Sequence, residues 1–105
     1  MSYSKYRAKP TIVDGIRFAS KAEARKYGEL KLMERAGQIT NLVCQPQFRL
    51  IVDGDLVCIY RGDFAFDERG KHVVIDVKGF KTEAYKIKRK LLLALNKGMD
   101  HREVA

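Results

Sequence analysis

Two aspartates and a lysine interrupt apolar stretches that otherwise read as buried strands. In Val73-Val74-Ile75-Asp76-Val77-Lys78-Gly79, Asp76 and Lys78 are the polar breaks. Side chains alternate across a strand, so Asp76 and Lys78 share one face while Ile75 and Val77 take the other. A carboxylate and an ammonium so spaced at a strand end form a compact polar site. A plain ion pair where a strand turns polar has the same spacing. Upstream, Ile59-Tyr60-Arg61-Gly62-Asp63-Phe64-Ala65-Phe66 carries a second break. Phe64 and Phe66 share a face suited to a core, and Asp63 takes the opposite one. The turn-forming run Asp67–Gly70 makes the two strands hairpin neighbours, and counting outward from it brings Asp63 near Asp76. Carboxylates facing each other repel and cost stability unless a cation lies between them. Hard oxygen donors suit magnesium or manganese. The expected ligands are Asp63, Asp76 and the backbone carbonyl of Val77. Lys78 would stand beside the attacking water, orienting it or stabilising charge on a phosphate.

Glu23 is a third acidic candidate. In Ser20-Lys21-Ala22-Glu23 it occupies the N3 position of a capping box, which is a structural role. The same position aims a carboxylate from the start of a helix toward the sheet edge, and the two roles are compatible.

The elements that must position these residues follow from pattern. Residues 1–10 read as a flexible basic arm, and 11–105 as a single domain. Thr11–Val13, Asp14-Gly15 and Ile16–Phe18 form a small hairpin, because Asp-Gly accepts the positive φ angles of a two-residue turn. Ser20 caps a helix over 21–36 with Ala24, Tyr27, Leu30, Met33 and Ala36 on its apolar face, and Gly37 stops it. Strands are predicted at Ile39–Cys44, Gln47–Val52, Leu56–Phe66 and His72–Val77. Thr82 caps a second helix over 83–96, with Tyr85, Ile87, Leu91, Leu92 and Leu95 toward the core. A short last strand includes Glu103-Val104. The order implies an α/β fold with a central mixed sheet flanked by helices.

Net charge is +8 over 105 residues, which points to a polyanionic partner. The basic residues crowd Lys5, Arg7 and Lys9, and again Lys78, Lys81, Lys86, Lys88, Arg89 and Lys90. Lys86, Arg89 and Lys90 fall at i, i+3 and i+4 and share a helix stripe, whereas Lys88 lies nearer the buried side. Only Gly79–Lys81 separates Lys78 from the helix, so this basic stripe must begin close to the polar site. It reads as a phosphate-binding surface, with Lys81 at its start. Lys5 and Arg7 are further DNA-contact candidates. No apolar run is long enough to span a membrane, and the first residues lack the apolar core of a secretory signal, so a cytoplasmic protein is expected. Cys44 and Cys58, with His72 and His101, lack the spacing of a zinc site, and a reducing compartment argues against a disulfide.

Asp63 followed by Asp76-Val77-Lys78 resembles the D…(D/E)-x-K signature of the PD-(D/E)XK nuclease superfamily, and Glu23 matches the extra acidic residue of many members. The wider pattern is more specific. It runs from Lys5-Tyr6-Arg7 through Asp14-Gly15, Phe18-x-Ser20-Lys-x-Glu23, Gln45-Pro46 and Asp63-Phe64 to Asp76-Val-Lys-Gly79-x-x-Thr82-x-x-Tyr85. This is similar to small phage-encoded, Holliday-junction-resolvase-like nucleases of that superfamily. Gly62 stands where the superfamily's name has proline. The resemblance implies a restriction-endonuclease-like fold and magnesium- or manganese-dependent hydrolysis of DNA phosphodiesters, with Asp63, Asp76, Lys78 and Glu23 as site residues. A resolvase makes paired cuts in a branched DNA, which implies a homodimer. The competing reading is a non-catalytic basic DNA-binding protein. It leaves unexplained why two aspartates would face a phosphate-binding surface that they repel.

Overall fold

The computed structural model describes residues 9–105. The first hairpin pairs β1 (Thr11–Val13) with β2 (Ile16–Phe18). Asp14 and Gly15 at its tip have φ of 52° and 76°, the doubly positive turn that suits strand twist. The Ser20 hydroxyl caps α1 (Lys21–Arg35) by accepting from the Glu23 backbone N–H at 3.1 Å. α1 buries Ala24, Tyr27 and Leu30. Ala36, expected on the buried face, is instead the exposed C-cap.

Then come β3 (Thr40–Cys44), β4 (Gln47–Val52), β5 (Asp55–Arg61), β6 (Phe64–Glu68) and β7 (Lys71–Val77). After them come α2 (Glu83–Leu95) and β8 (Asp100–Val104). The central sheet has the order β3-β6-β7-β8. β3–β6 and β6–β7 are antiparallel, and β7–β8 is parallel. A parallel pair needs a crossover, which α2 supplies between β7 and β8. The architecture is α/β with a mixed sheet and two helices, compatible with a fold of restriction-endonuclease type.

The expected single strand Leu56–Phe66 is two strands, broken at Gly62-Asp63. Facing the break, Pro46 has no N–H to give and Gln45 has φ of 55°, so the ladder cannot run straight through. Two bonds carry the chain across it: Gln45 N–H to the Asp63 carbonyl at 2.8 Å, and Gly62 N–H to the Pro46 carbonyl at 3.0 Å. β4 and β5 therefore leave the sheet as a separate hairpin.

Two cores result. Phe18, Tyr27, Leu30, Ile39, Phe64, Phe66, Val73 and Ile75 fill the space between α1 and one sheet face. Leu50, Tyr60 and Leu92 join α2 to the β4–β5 hairpin. Leu92 is the one fully buried residue of α2, while Ile87 and Leu95, expected inside, are 66% and 42% exposed. α2 rests on a narrow hairpin rather than a broad sheet, so it buries a thinner stripe than its sequence offers.

Candidate active site

The β6–β7 register runs as far as Phe64↔Ile75, and Asp63 and Asp76 are the next residues beyond that pair. The Asp63 backbone N–H donates to the Ile75 carbonyl at 3.1 Å. Its carboxylate Oδ2 accepts from the Val77 backbone N–H at 2.7 Å. Burial pushes the Asp63 carboxyl above its ordinary value, and the charge of Asp76 pushes the same way. The Val77 N–H and Lys78 oppose this.

Glu23 joins the group from the start of α1. Burial raises its carboxyl, and the next largest cause is Asp63, with Asp76 adding to it. The Ala19 backbone N–H and Lys78 pull it down. Glu23, Asp63, Asp76 and Lys78 therefore lie within electrostatic reach of one another. The backbone N–H of Glu23 serves the cap, which leaves its carboxyl to the Ala19 N–H and the charges of the cluster.

Asp76 is completely buried. Its Oδ2 accepts from the Tyr60 hydroxyl and lies 2.7 Å from His101 Nε2. Arg89 Nε donates to His101 Nδ1 at 2.9 Å. Nδ1 is thus the acceptor nitrogen, and the ring proton sits on Nε2, facing Asp76. Asp76 Oδ1 is shielded from solvent and has no hydrogen-bond partner among the described residues. Buried carboxylate oxygens are normally satisfied, and each exception calls for an explanation.

Lys78 shares the face of Asp76. Its Nζ stands 4.6 Å from the centre of the Tyr85 ring, a cation–π distance. The Tyr85 hydroxyl donates to Glu103 Oε2 at 2.8 Å. Glu103 also pairs with Lys81 at 3.1 Å and approaches Arg89 at 3.7 Å. The Tyr85 hydrogen bond is the main reason that the Glu103 carboxyl falls below its ordinary value.

The basic stripe forms as its spacing predicts, with one change. Lys81, Lys86, Arg89 and Lys90 line one surface concavity of about 340 Å³ with Glu83, Ile87 and Glu103. Arg89 turns inward to His101 and Glu103 rather than projecting freely. Lys88 lies on the other side, lining a groove with Tyr60, Arg61 and Tyr85. Lys5 and Arg7 lie outside the described residues.

Among the described residues, no group of three or more His, Cys, Asp or Glu side chains is gathered as a ready metal cage. The donors at hand are Asp63, the free Oδ1 of Asp76 and the Val77 carbonyl. Beside Oδ1 lies the bare Cα of Gly62, where an added Cβ would come within 3.9 Å of that oxygen. Two carboxylates and a carbonyl, one oxygen unclaimed, fit magnesium or manganese, since magnesium keeps several of its own waters and rarely uses an all-protein cage.

Tyr60 and His101 were not legible as site residues. Tyr60 reads in sequence as an ordinary apolar strand residue. His101 precedes the short stretch that signals the last strand. The available signal was the β7–α2–β8 crossover, which lays the final strand parallel to the one bearing Asp76.

No curated protein matches this chain. A family model described as a protein of unknown function (DUF1064) matches residues 3–102. With nearly its whole length covered, the chain belongs to the DUF1064 family.

Proposed function

We propose that this protein is a metal-dependent endonuclease that hydrolyses DNA phosphodiester bonds, as its resemblance to the PD-(D/E)XK superfamily implies. The observation that carries the reading is Asp76, fully buried beside Asp63 and Lys78 with one carboxylate oxygen unclaimed. A buried carboxylate oxygen is seldom left without a partner. Asp76 Oδ1, Asp63 and the Val77 carbonyl would hold magnesium or manganese. When bound, the ion supplies an acidified water and neutralises charge at the phosphate.

The chain's own groups supply the rest. Lys78, braced against Tyr85, places a positive charge beside the carboxylates, where a phosphate would otherwise be repelled. Glu23, with its carboxyl raised, can take up a proton from water at its side-chain oxygen. Lys81, Lys86 and Lys90 hold phosphates along α2, which fixes the duplex without reading bases. The preferred substrate is branched DNA, and paired cuts across a junction would be made by a homodimer. No helix among the described residues is long and apolar enough to cross a membrane, and the site of action is the cytoplasm.

The test is a cleavage panel of four-way junctions, flaps, single strands and duplexes with magnesium, manganese, calcium or chelator. Branched DNA should be cut with magnesium or manganese and left intact with chelator. Asp76→Asn should abolish cutting while DNA binding persists. Absence of cleavage on every substrate, or cutting by Asp76→Asn at the wild-type rate, would refute the reading.

A further inference from the structure

A carboxylate can offer a cation either oxygen or both, and Asp76 is denied that freedom. Its Oδ2 is occupied from two sides, by the Tyr60 hydroxyl from β5 and by His101 Nε2 from β8. Those two groups also lie 2.8 Å apart. The His101 side chain is fully buried. Turning the carboxylate to exchange its oxygens would break both contacts in a site shielded from solvent.

The His101 tautomer is itself imposed. An arginine guanidinium only donates. With Arg89 Nε aimed at Nδ1, the opposite tautomer would set N–H against N–H there and a bare nitrogen against Asp76. Arg89 is steadied by Glu103, which is held in turn by Tyr85 and Lys81. A continuous set of contacts thus runs from α2 to the carboxylate.

We infer that Tyr60 and His101 are positioning residues that present Asp76 to a divalent cation as a one-oxygen ligand, with Arg89 setting the His101 tautomer. The inference rests on the metal-site reading above. It adds residues from three further elements to the site and assigns it a selectivity. A carboxylate fixed on one oxygen suits manganese and magnesium, whereas calcium readily accepts a two-oxygen carboxylate.

The test is direct titration of the full chain with manganese and, separately, calcium, by calorimetry and by the electron paramagnetic resonance signal of free manganese. The variants are Tyr60→Phe, His101→Leu and His101→Gln, each checked for folding by its metal-free melting curve. Tyr60→Phe keeps the ring and loses only the hydroxyl, so it remains informative if His101→Leu does not fold. Manganese affinity should fall by roughly 10–100-fold in Tyr60→Phe and His101→Leu, the usual cost of losing a group that orients a ligand. Calcium affinity should fall less. His101→Gln should recover most of the manganese affinity, because its amide N–H can stand in for Nε2–H.

If the wild-type protein binds no manganese, the metal-site reading and this inference fall together. If it binds manganese and Tyr60→Phe binds equally well, the metal site stands and the inference is overturned. Equal losses for manganese and calcium, or His101→Gln as weak as His101→Leu, overturn it too. Manganese binding without DNA cleavage on any substrate would refute the nuclease reading and leave the positioning roles supported.

Discussion

Replacing Gly62 by proline would bring in the residue that precedes the first aspartate in the signature this sequence resembles, and the structure argues that this chain cannot accept it. A Cβ at position 62 would come within 3.0 Å of Val74 Cγ1 and 3.4 Å of Pro46 Cγ. Val74 is completely buried, so it cannot swing into solvent to make room. Overpacking of this kind costs about 2 kcal/mol within a usual range of 1–3, and that is the expectation for Gly62→Ala. Proline brings the same Cβ and removes the N–H that donates to the Pro46 carbonyl at 3.0 Å. Orphaning that buried carbonyl adds about 2 kcal/mol. The stiffer unfolded chain returns roughly 0.4–1 kcal/mol. Gly62→Pro should therefore lose about 3 kcal/mol. For a domain of this size each kcal/mol shifts Tm by about 4–8 °C, so the alanine variant should melt about 8–16 °C lower and the proline variant about 12–24 °C lower. Circular dichroism melts, repeated as urea titrations, measure both. A proline variant as stable as wild type, or no less stable than the alanine variant, would refute the reasoning about this break in the strand.

Glu23→Gln removes a charge that burial and Asp63 both oppose, so the metal-free protein should melt no lower than wild type while cleavage is lost. Full activity would reduce Glu23 to a helix cap, and a clear drop in Tm would refute the account of its disfavoured buried charge. The raised carboxyls of Asp63 and Glu23 also set a pH dependence. The folded chain holds their protons more tightly than the unfolded chain, so their contribution to metal-free stability is present below the ordinary values of 3.8 and 4.5 and is lost as pH rises through the raised ones. A cation needs the charged forms, so the manganese-induced rise in Tm should shrink as pH falls through the same window. A rise that stays constant as pH is lowered from neutral down to the ordinary carboxylate values of 3.8 and 4.5 would contradict this. Removing Lys86 and Lys90 together should flatten the salt dependence of DNA binding by about two units in log K against log salt. An unchanged slope in fluorescence anisotropy would show that the stripe is only solvated.

Much of the architecture is written locally. Asp14-Gly15 dictates the first turn and Ser20 and Thr82 cap both helices. The expected turn Asp67–Gly70 tightens to Arg69-Gly70, with Asp67 and Glu68 paired in β6, and it fixes the register that brings Asp63 near Asp76. These are near-neighbour effects of backbone preference and side-chain alternation, and such effects can be read along one strand of text. The proximity of Asp63, Asp76 and Lys78 needs nothing beyond a hairpin and a two-residue spacing.

What the tertiary structure decided is everything that depends on residues distant in sequence. The break at Gly62-Asp63 is set by Pro46 on the facing strand, and it frees the hairpin that brings Tyr60 to Asp76. The inward turn of Arg89 depends on His101 and Glu103, which reach it only because β8 lies parallel to β7. The exposure of Ile87 and Leu95 follows from what α2 rests on rather than from its own periodicity. Sequence alone determined which groups carry charge and which way adjacent side chains point. Which oxygen of Asp76 is tied and which is left free was decided by the packing of three distant segments around it, because an unsatisfied buried atom is defined only by all of its neighbours at once.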